Sequence, residues 1–458
     1  MMQDPGPDIE NLLGEPKKAI RSMFLAFLIA EAAVLINQFA DTFWVSGLGA
    51  EAGSAVAAVA PVYSMMAAAG IGIALGATVS ISSRLGRREF DAAGSLAGAS
   101  LSIGILVSLT VSVLTAALLR PALGFMGAED VAGEAEAYML PFILMSSVLI
   151  ADSIVGGILR GEGAARRSAA VQLSASAMNI ILDPIFIYAL DLGVLGAGLA
   201  TAAAASVSLC IGIFWLMSGR TPVCITVGSI VRPRRDMMRE VMGIGGPKAG
   251  QQLISDLTDL MQRVFIIAAG GAGAVMLYSY PWRYMALAHL PGSALEKSLV
   301  PVCSAAYGRK DVLKMRAGYI YTAELSVAAS CVLAALMYVL ADPLMSVMTI
   351  EESMREMRPD FVRALRISVL ALPFSSMMGL GASILQSMRK ARMPMDLYLI
   401  WGFAKLGLYA VACMYSFWAI LWCMVAVHIA GGICMMFLAY AEFRRIEGRP
   451  VGRSLSGR

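Results

Sequence analysis

Asn179 and Asp183 stand four residues apart in Ala177-Met-Asn-Ile-Ile-Leu-Asp-Pro-Ile-Phe186, a stretch otherwise apolar enough for a membrane helix. That i, i+4 spacing puts both side chains on one helical face. Pro184 follows directly. Its ring has no N–H and crowds the carbonyl four residues back, so the carbonyl of Ile180 is expected to lose its usual partner. A carboxylate, an amide and a freed carbonyl in an apolar setting make a cation or proton site. Ionisable side chains inside a bilayer are costly and by default mark an ion pathway. The plainer alternative is a satisfied aspartate at a helix kink.

The elements that must position these groups follow from composition. The chain has 458 residues, 58% hydrophobic and 15% charged, with mean hydropathy +0.72. A soluble domain is roughly half apolar and about a quarter charged, so this is an all-α integral membrane protein in contact with the lipid bilayer. Its net charge of +4 is not gathered into an aromatic-interleaved basic patch, so no nucleic-acid partner is expected. The seven cysteines have neither metal nor disulfide spacing. The start of the chain is acidic and polar before Lys17, unlike a cleavable signal peptide.

Apolar runs predict twelve transmembrane helices at 17–46, 52–82, 91–118, 131–160, 167–190, 194–218, 238–268, 273–306, 313–340, 353–388, 393–416 and 418–442. Basic loops alternate with every crossing. Lys17/Lys18/Arg21, Arg84/Arg87/Arg88, Arg160/Arg166/Arg167, Arg220/Arg232/Arg234/Arg235, Arg309/Lys310/Lys314 and Arg389/Lys390/Arg392 fall on one side, with Arg444/Arg445 at the end. Glu51, Glu129/Asp130/Glu134, Asp191, Asp342 and Glu351/Glu352 fall on the other. The basic side is expected to be cytoplasmic, with both termini there, in a plasma-membrane protein.

The chain also repeats itself. Ser83-Arg-Leu-Gly-Arg-Arg88 is echoed by Ala305-Ala-Tyr-Gly-Arg-Lys310, and Leu159-Arg-Gly-Glu-Gly163 by the basic turn Leu385–Arg392. Two pseudo-symmetric six-helix lobes around a central cavity follow: an N-lobe over 1–219, a linker over 220–237 and a C-lobe over 238–458. That is a transporter architecture.

Counting ~1.5 Å per residue, Asp183 lies ~24 Å up its helix and Asp41 ~36 Å along a tilted one, while Thr201 and Tyr138 lie ~10 Å below the outer face. Four helices counted from different ends thus bring polar groups to the outer half of the N-lobe. Asn37 shares a face with Asp41, and Gln38 is its neighbour. Asp41, Asn179, Asp183 and Thr201 are the expected ion or proton site, with Tyr138, Asn37 and Gln38 as pocket residues. No separate cofactor is expected beyond a coupling H⁺ or Na⁺. Glu31, near the midplane, is a candidate relay or a lone buried acid. Asp152, Glu296 and Lys297 lie close enough to the cytoplasmic ends to be simply solvated. Asp256 and Asp259 are secondary candidates in the C-lobe, with Arg263 four residues beyond Asp259 as the expected partner.

With these motifs in place, the chain resembles the multidrug and toxic compound extrusion (MATE) family. The likeness rests on the Arg-Leu-Gly-Arg turn, Leu159–Gly163, Asn179-Ile-Ile-Leu-Asp-Pro-Ile-Phe-Ile187 and Leu192-Gly-Val-Leu-Gly-Ala-Gly-Leu-Ala-Thr201. It implies efflux of small cationic or amphipathic compounds in exchange for H⁺ or Na⁺. A monomer is expected. In the archaeal and DinF-type branches the N-lobe pocket carries acids and polar groups matched here by Asp41, Asn179, Asp183 and Thr201, with Tyr138 alongside. The NorM-type branch has acids on helices 7 and 10, whereas Ile367–Arg389 has no carboxylate. An alternative is a lipid-linked saccharide flippase of the same superfamily, which would need a cationic cavity, and Arg283 and Lys405 are the cations expected there. An enzyme is not expected. Asp183 stands in Leu-Asp-Pro rather than the glycine-flanked context of an intramembrane aspartyl protease pairing it with Asp152. HExxH, GxSxG and P-loop lysine motifs are missing.

Overall fold

The computed structural model describes residues 7–125, 127–218, 221–349 and 352–447; Arg220 and Glu351 of the loop pattern lie outside them. Seventeen α-helices follow in order. The N-terminal half contains α1 (Pro7–Leu13), α2 (Pro16–Ser46), α3 (Ala50–Gly86), α4 (Phe90–Phe125), α5 (Ala132–Leu144), α6 (Ser146–Gly161), α7 (Ala165–Pro184) and α8 (Gly193–Met217). After α9 (Val227–Val231) come α10 (Arg235–Gly308), α11 (Val312–Val339), α12 (Ala341–Met348), α13 (Glu352–Arg355), α14 (Arg358–Ser368), α15 (Leu372–Ser387), α16 (Arg392–Ala412) and α17 (Phe417–Glu447).

Among the described residues nine helices are long and apolar enough to cross a membrane singly. The pair α5–α6, bent by 57° at Met145, supplies a tenth crossing. Met145 itself leaves helical geometry there, at φ −105° and ψ 18°, which gives the bend its place. The 74-residue α10 supplies the last two, because Gly270 and Gly271 leave helical geometry and Gly271 combines φ 62° with ψ −153°, a pairing that favours glycine. Twelve crossings in two lobes result, with the predicted breaks in place. The short α1, α9 and α12 are additions to the predicted set, and α13 takes the start of the span predicted at 353–388.

The internal repeat is visible in the backbone. Arg88 and Lys310 end α3 and α10 at φ 62° and 59°, and Gly163 and Arg389 end the corresponding later helices at 81° and 61°. Left-handed residues at these corners close the last helical turn. The lobes meet chiefly where α3 crosses α10. One apolar core fills the N-lobe around Ile81, Leu96 and Ile154; a second joins Phe27 of α2 to Leu299, Leu380 and Phe443 of the C-lobe.

Candidate functional site

Asp41 sits in the second-last turn of α2 and Asp183 next to the end of α7, where Pro184 hands the chain to a π-turn over Ile185–Ala189. π-turns loosen the backbone ladder and are common at functional sites. The four-residue spacings act as expected: Asn37 Nδ2 donates to Asp41 Oδ2 at 3.4 Å, and Asn179 Nδ2 to Asp183 Oδ1 at 3.1 Å. Asn179 Nδ2 also donates to Thr201 Oγ1 at 3.2 Å. Thr201 arrives there because α8 lies flush on its neighbours. A Cβ on Gly196 would meet the Phe186 carbonyl at 2.5 Å, and one on Gly198 the Tyr138 carbonyl at 2.5 Å. The glycine motif before Thr201 is therefore a packing device that delivers the hydroxyl.

Asp41 and Asp183 interact electrostatically with one another. Asp183 is 1% exposed and Asn179 2%. Among the described residues Asn37 Oδ1, Asp41 Oδ1, Asn179 Oδ1 and Asp183 Oδ2 have no hydrogen-bond partner. Buried polar atoms are nearly always partnered, so four orphan acceptors in one place mark a missing donor or cation. No group of three or more His, Cys, Asp or Glu placed to hold a metal ion stands among the described residues. The donor set is hard oxygen, suited to a proton or Na⁺ rather than to a transition metal.

A pocket of ≈ 190 Å³ reaches this site, lined by Asn37, Tyr63, Asp152, Asn179 and Thr201 among others. Tyr63, on α3, is absent from the predicted set; a lone tyrosine in an apolar run carries no spacing signal. Tyr138 stands in electrostatic reach of Asp41 and Asp183, with its ring edge-on to Phe142 at 5.2 Å. Gln38 is exposed and lines neither described cavity.

Below the pocket lies a cavity of ≈ 570 Å³ between the lobes. Glu31 is not a lone acid there. Lys297 of α10 pairs with it across the lobes, and Gln172 Nε2 donates to the same oxygen at 3.3 Å. Asp152, Glu296 and Lys297, expected to be merely solvated near the cytoplasmic ends, all line this cavity, together with Arg160 and Lys248. Asp152 also accepts from Ser208 Oγ at 2.7 Å. Depth counted from helix ends ignores the lobe interface, which is why it misplaced them. Arg283 and Lys405, the cations expected here, line neither cavity. Arg283 instead lies over the Tyr280 ring.

In the C-lobe, Gln252 Nε2 donates to Asp256 Oδ1 at 3.0 Å. The partner of Asp259 is Lys405 of α16, at 3.0 Å, in place of the expected Arg263. Where the N-lobe sets two carboxyls together, the C-lobe sets a carboxylate against its own ammonium.

Two curated relatives place this architecture. "Multidrug export protein MepA" of Staphylococcus aureus strain NCTC 8325 / PS 47 is 28% identical over 270 residues, 57% of this chain; the chain spans 59% of that relative's length. The protein of the same name from strain MRSA252 is 23% identical over 400 residues, 84% of this chain and 85% of that one. Among solved structures, MATE in complex with MaL6 superposes with TM-score 0.91 at 25% identity, covering 97% of this chain and all of that one. A MOP superfamily transporter from Pyrococcus furiosus, whose binding pocket is described as of reverse polarity, gives 0.92 at 25%, covering 98% and 100%. The MatE family model matches twice, over residues 26–185 and 247–408, once in each half, and the chain belongs to this family of membrane transporters.

Proposed function

We propose that this protein is a secondary active exporter of small cationic or amphipathic compounds, working by alternating access and exchanging substrate for H⁺ or Na⁺ at the N-lobe carboxylates. The observation that carries the reading is the group of four unpartnered acceptor oxygens around Asp41 and Asp183. Two carboxylates in contact at low dielectric repel unless a proton or cation sits between them. Asn37, Asn179 and Thr201 complete an oxygen shell that fits either ion. An ion bound here bridges α2 to α7 and so favours one arrangement of the N-lobe; an ion binding both arrangements equally would shift nothing.

The names of the MepA relatives support the substrate class. The Asp, Asn, Asp and Thr set supports placement in the archaeal or DinF-type branch. The alternation of basic loops supports cytoplasmic termini. The lobes seal at the basic face, where Glu240 joins Arg84 at 2.6 Å and also binds Arg389. We therefore take the protein to be closed toward the cytoplasm and to act as a monomer in the plasma membrane, with 1–219 and 238–458 as its moving lobes. The test is efflux of tetramethylrhodamine methyl ester, a fluorescent cation, from proteoliposomes. An imposed inward H⁺ or Na⁺ gradient should drive it, and efflux indifferent to both gradients would refute the exchange.

A further inference from the structure

The central cavity carries six ionisable side chains, split unevenly between its walls. Glu31, Asp152 and Arg160 come from the N-lobe; Lys248, Glu296 and Lys297 come from α10, on the C-lobe side. Their formal charges sum to minus one on the first wall and plus one on the second, so the cavity is neutral overall but polarised across the lobe interface. Lys297 and Glu31 already pair across it. Among the described residues Lys248, Glu296 and Arg160 make no ion pair with any other side chain, though Lys248 and Glu296 stand within electrostatic reach. Gly379 of α15 leaves the space that the Glu296 carboxylate fills, since a Cβ there would collide with it. Unpaired charges facing a roomy cavity are costly to keep unless a solute or water meets them.

We infer that the solute held in this cavity is dipolar and amphipathic, with a cationic nitrogen toward Glu31 and Asp152 and a carboxylate toward Lys248 and Lys297. The site is distinct from the pocket lined by Asn37, Asn179 and Thr201 but touches it. Asp152 lines both, as do Val34, Ser153, Ala175 and Ser176. The cationic end of the solute therefore lies next to the ion site, where the two compete electrostatically. The anionic end replaces Glu31 as the partner of Lys297, so binding exchanges a lobe-to-lobe pair for two pairs to the solute. A lipid pyrophosphate fits poorly, because three acids share the cavity with the three bases.

This inference rests on the export reading for its transport meaning, but its test is a binding measurement. Fluorescence anisotropy of the full chain in detergent would compare tetramethylrhodamine, a zwitterion with a free carboxylate, with its methyl ester, a cation of the same ring system. The zwitterion should bind about tenfold more tightly, the worth of one charge-assisted hydrogen bond. Lys248→Gln and Lys297→Gln should each shrink that preference by weakening the zwitterion, and Lys297→Gln, which frees Glu31, should bind the ester at least as tightly as the unaltered protein. Gln38→Ala, at an exposed residue that lines neither cavity, should leave the preference intact. Equal or tighter binding of the ester by the unaltered protein would overturn the inference without any variant, as would a preference that survives in both lysine variants. Gradient-driven efflux of the ester with no preference for the acid would sink this inference alone and leave the export reading standing. A preference for the acid with no gradient-driven efflux would do the reverse.

Discussion

Gly86 and Gly308 end equivalent helices of the two repeats, and each lies against the other's helix. A Cβ on Gly86 would collide with the Ala305 carbonyl, and one on Gly308 with the Ser83 carbonyl. The echo between Ser83–Arg88 and Ala305–Lys310 is thus a reciprocal contact as well as a duplication. It draws the lobes together at the basic face, and Arg87 Nε adds a bond to the Gly308 carbonyl at 3.2 Å.

Replacing either glycine should force that face apart. Backbone cannot yield as a flexible side chain does, so Gly86→Leu and Gly308→Leu are each expected to favour the state open on the basic side. Cys303 of α10, two positions before Ala305, is fully buried, with its thiol toward Met315 of α11. Its maleimide labelling, followed by mass spectrometry at that residue, should rise in both variants. Unchanged labelling would mean the contact does not hold the lobes shut.

Asn179 orients its neighbours through Nδ2, which serves both Asp183 and Thr201. Asn179→Leu removes both donations and leaves a buried carboxylate and hydroxyl short of a partner. Ion-driven efflux should fall severely, while Thr201→Val, which removes a single ligand, should cost less. The comparison is of initial rates in proteoliposomes at matched protein content. Equal rates in both variants and in the unaltered chain would take Asn179 out of the site.

The C-lobe pair should behave differently. Asp259 is 58% exposed at its side chain and Lys405 14%. A pair with one open partner contributes about 0–1 kcal/mol. Lys405→Met should therefore lower the melting midpoint by only a few degrees at most, with the ion dependence of transport unchanged. A changed ion dependence would show that Asp259 takes part in coupling.

Glu162 offers a pH signature outside the spans. It lies in the corner between α6 and α7 under α1, fully buried, with neither carboxylate oxygen hydrogen-bonded among the described residues. Burial pushes its carboxyl well above the usual carboxylate range, Arg167 opposes this, and Asp8 adds to it. The fold prefers the protonated acid, so its stabilising effect is present at low pH and is lost as pH rises through the raised value. Melting midpoints should fall with rising pH over that window, and Glu162→Gln should flatten the fall.

Much of the N-lobe site was legible because helical spacing is a local rule. Asn37 with Asp41 and Asn179 with Asp183 needed only the four-residue step, and Thr201 needed only a count from a helix end. The twelve crossings followed from apolar length and from loops of alternating charge. The central cavity was not legible in the same way. Glu31 and Lys297 are separated by 266 positions, and which face of each helix meets the other lobe is decided by packing such as that at Gly86 and Gly308. Asp259 shows the same limit. Spacing pointed to Arg263, and tertiary approach of α16 supplied Lys405 instead.

The central claim is that Asp41 and Asp183 together hold the ion whose binding turns the transporter. Its most direct test is gradient-driven efflux of a fluorescent cation from proteoliposomes containing Asp41→Asn or Asp183→Asn, with folding verified by unchanged elution and melting. The account predicts that each variant loses H⁺- or Na⁺-driven efflux down to the level of protein-free liposomes. Transport at the unaltered rate in both would contradict it.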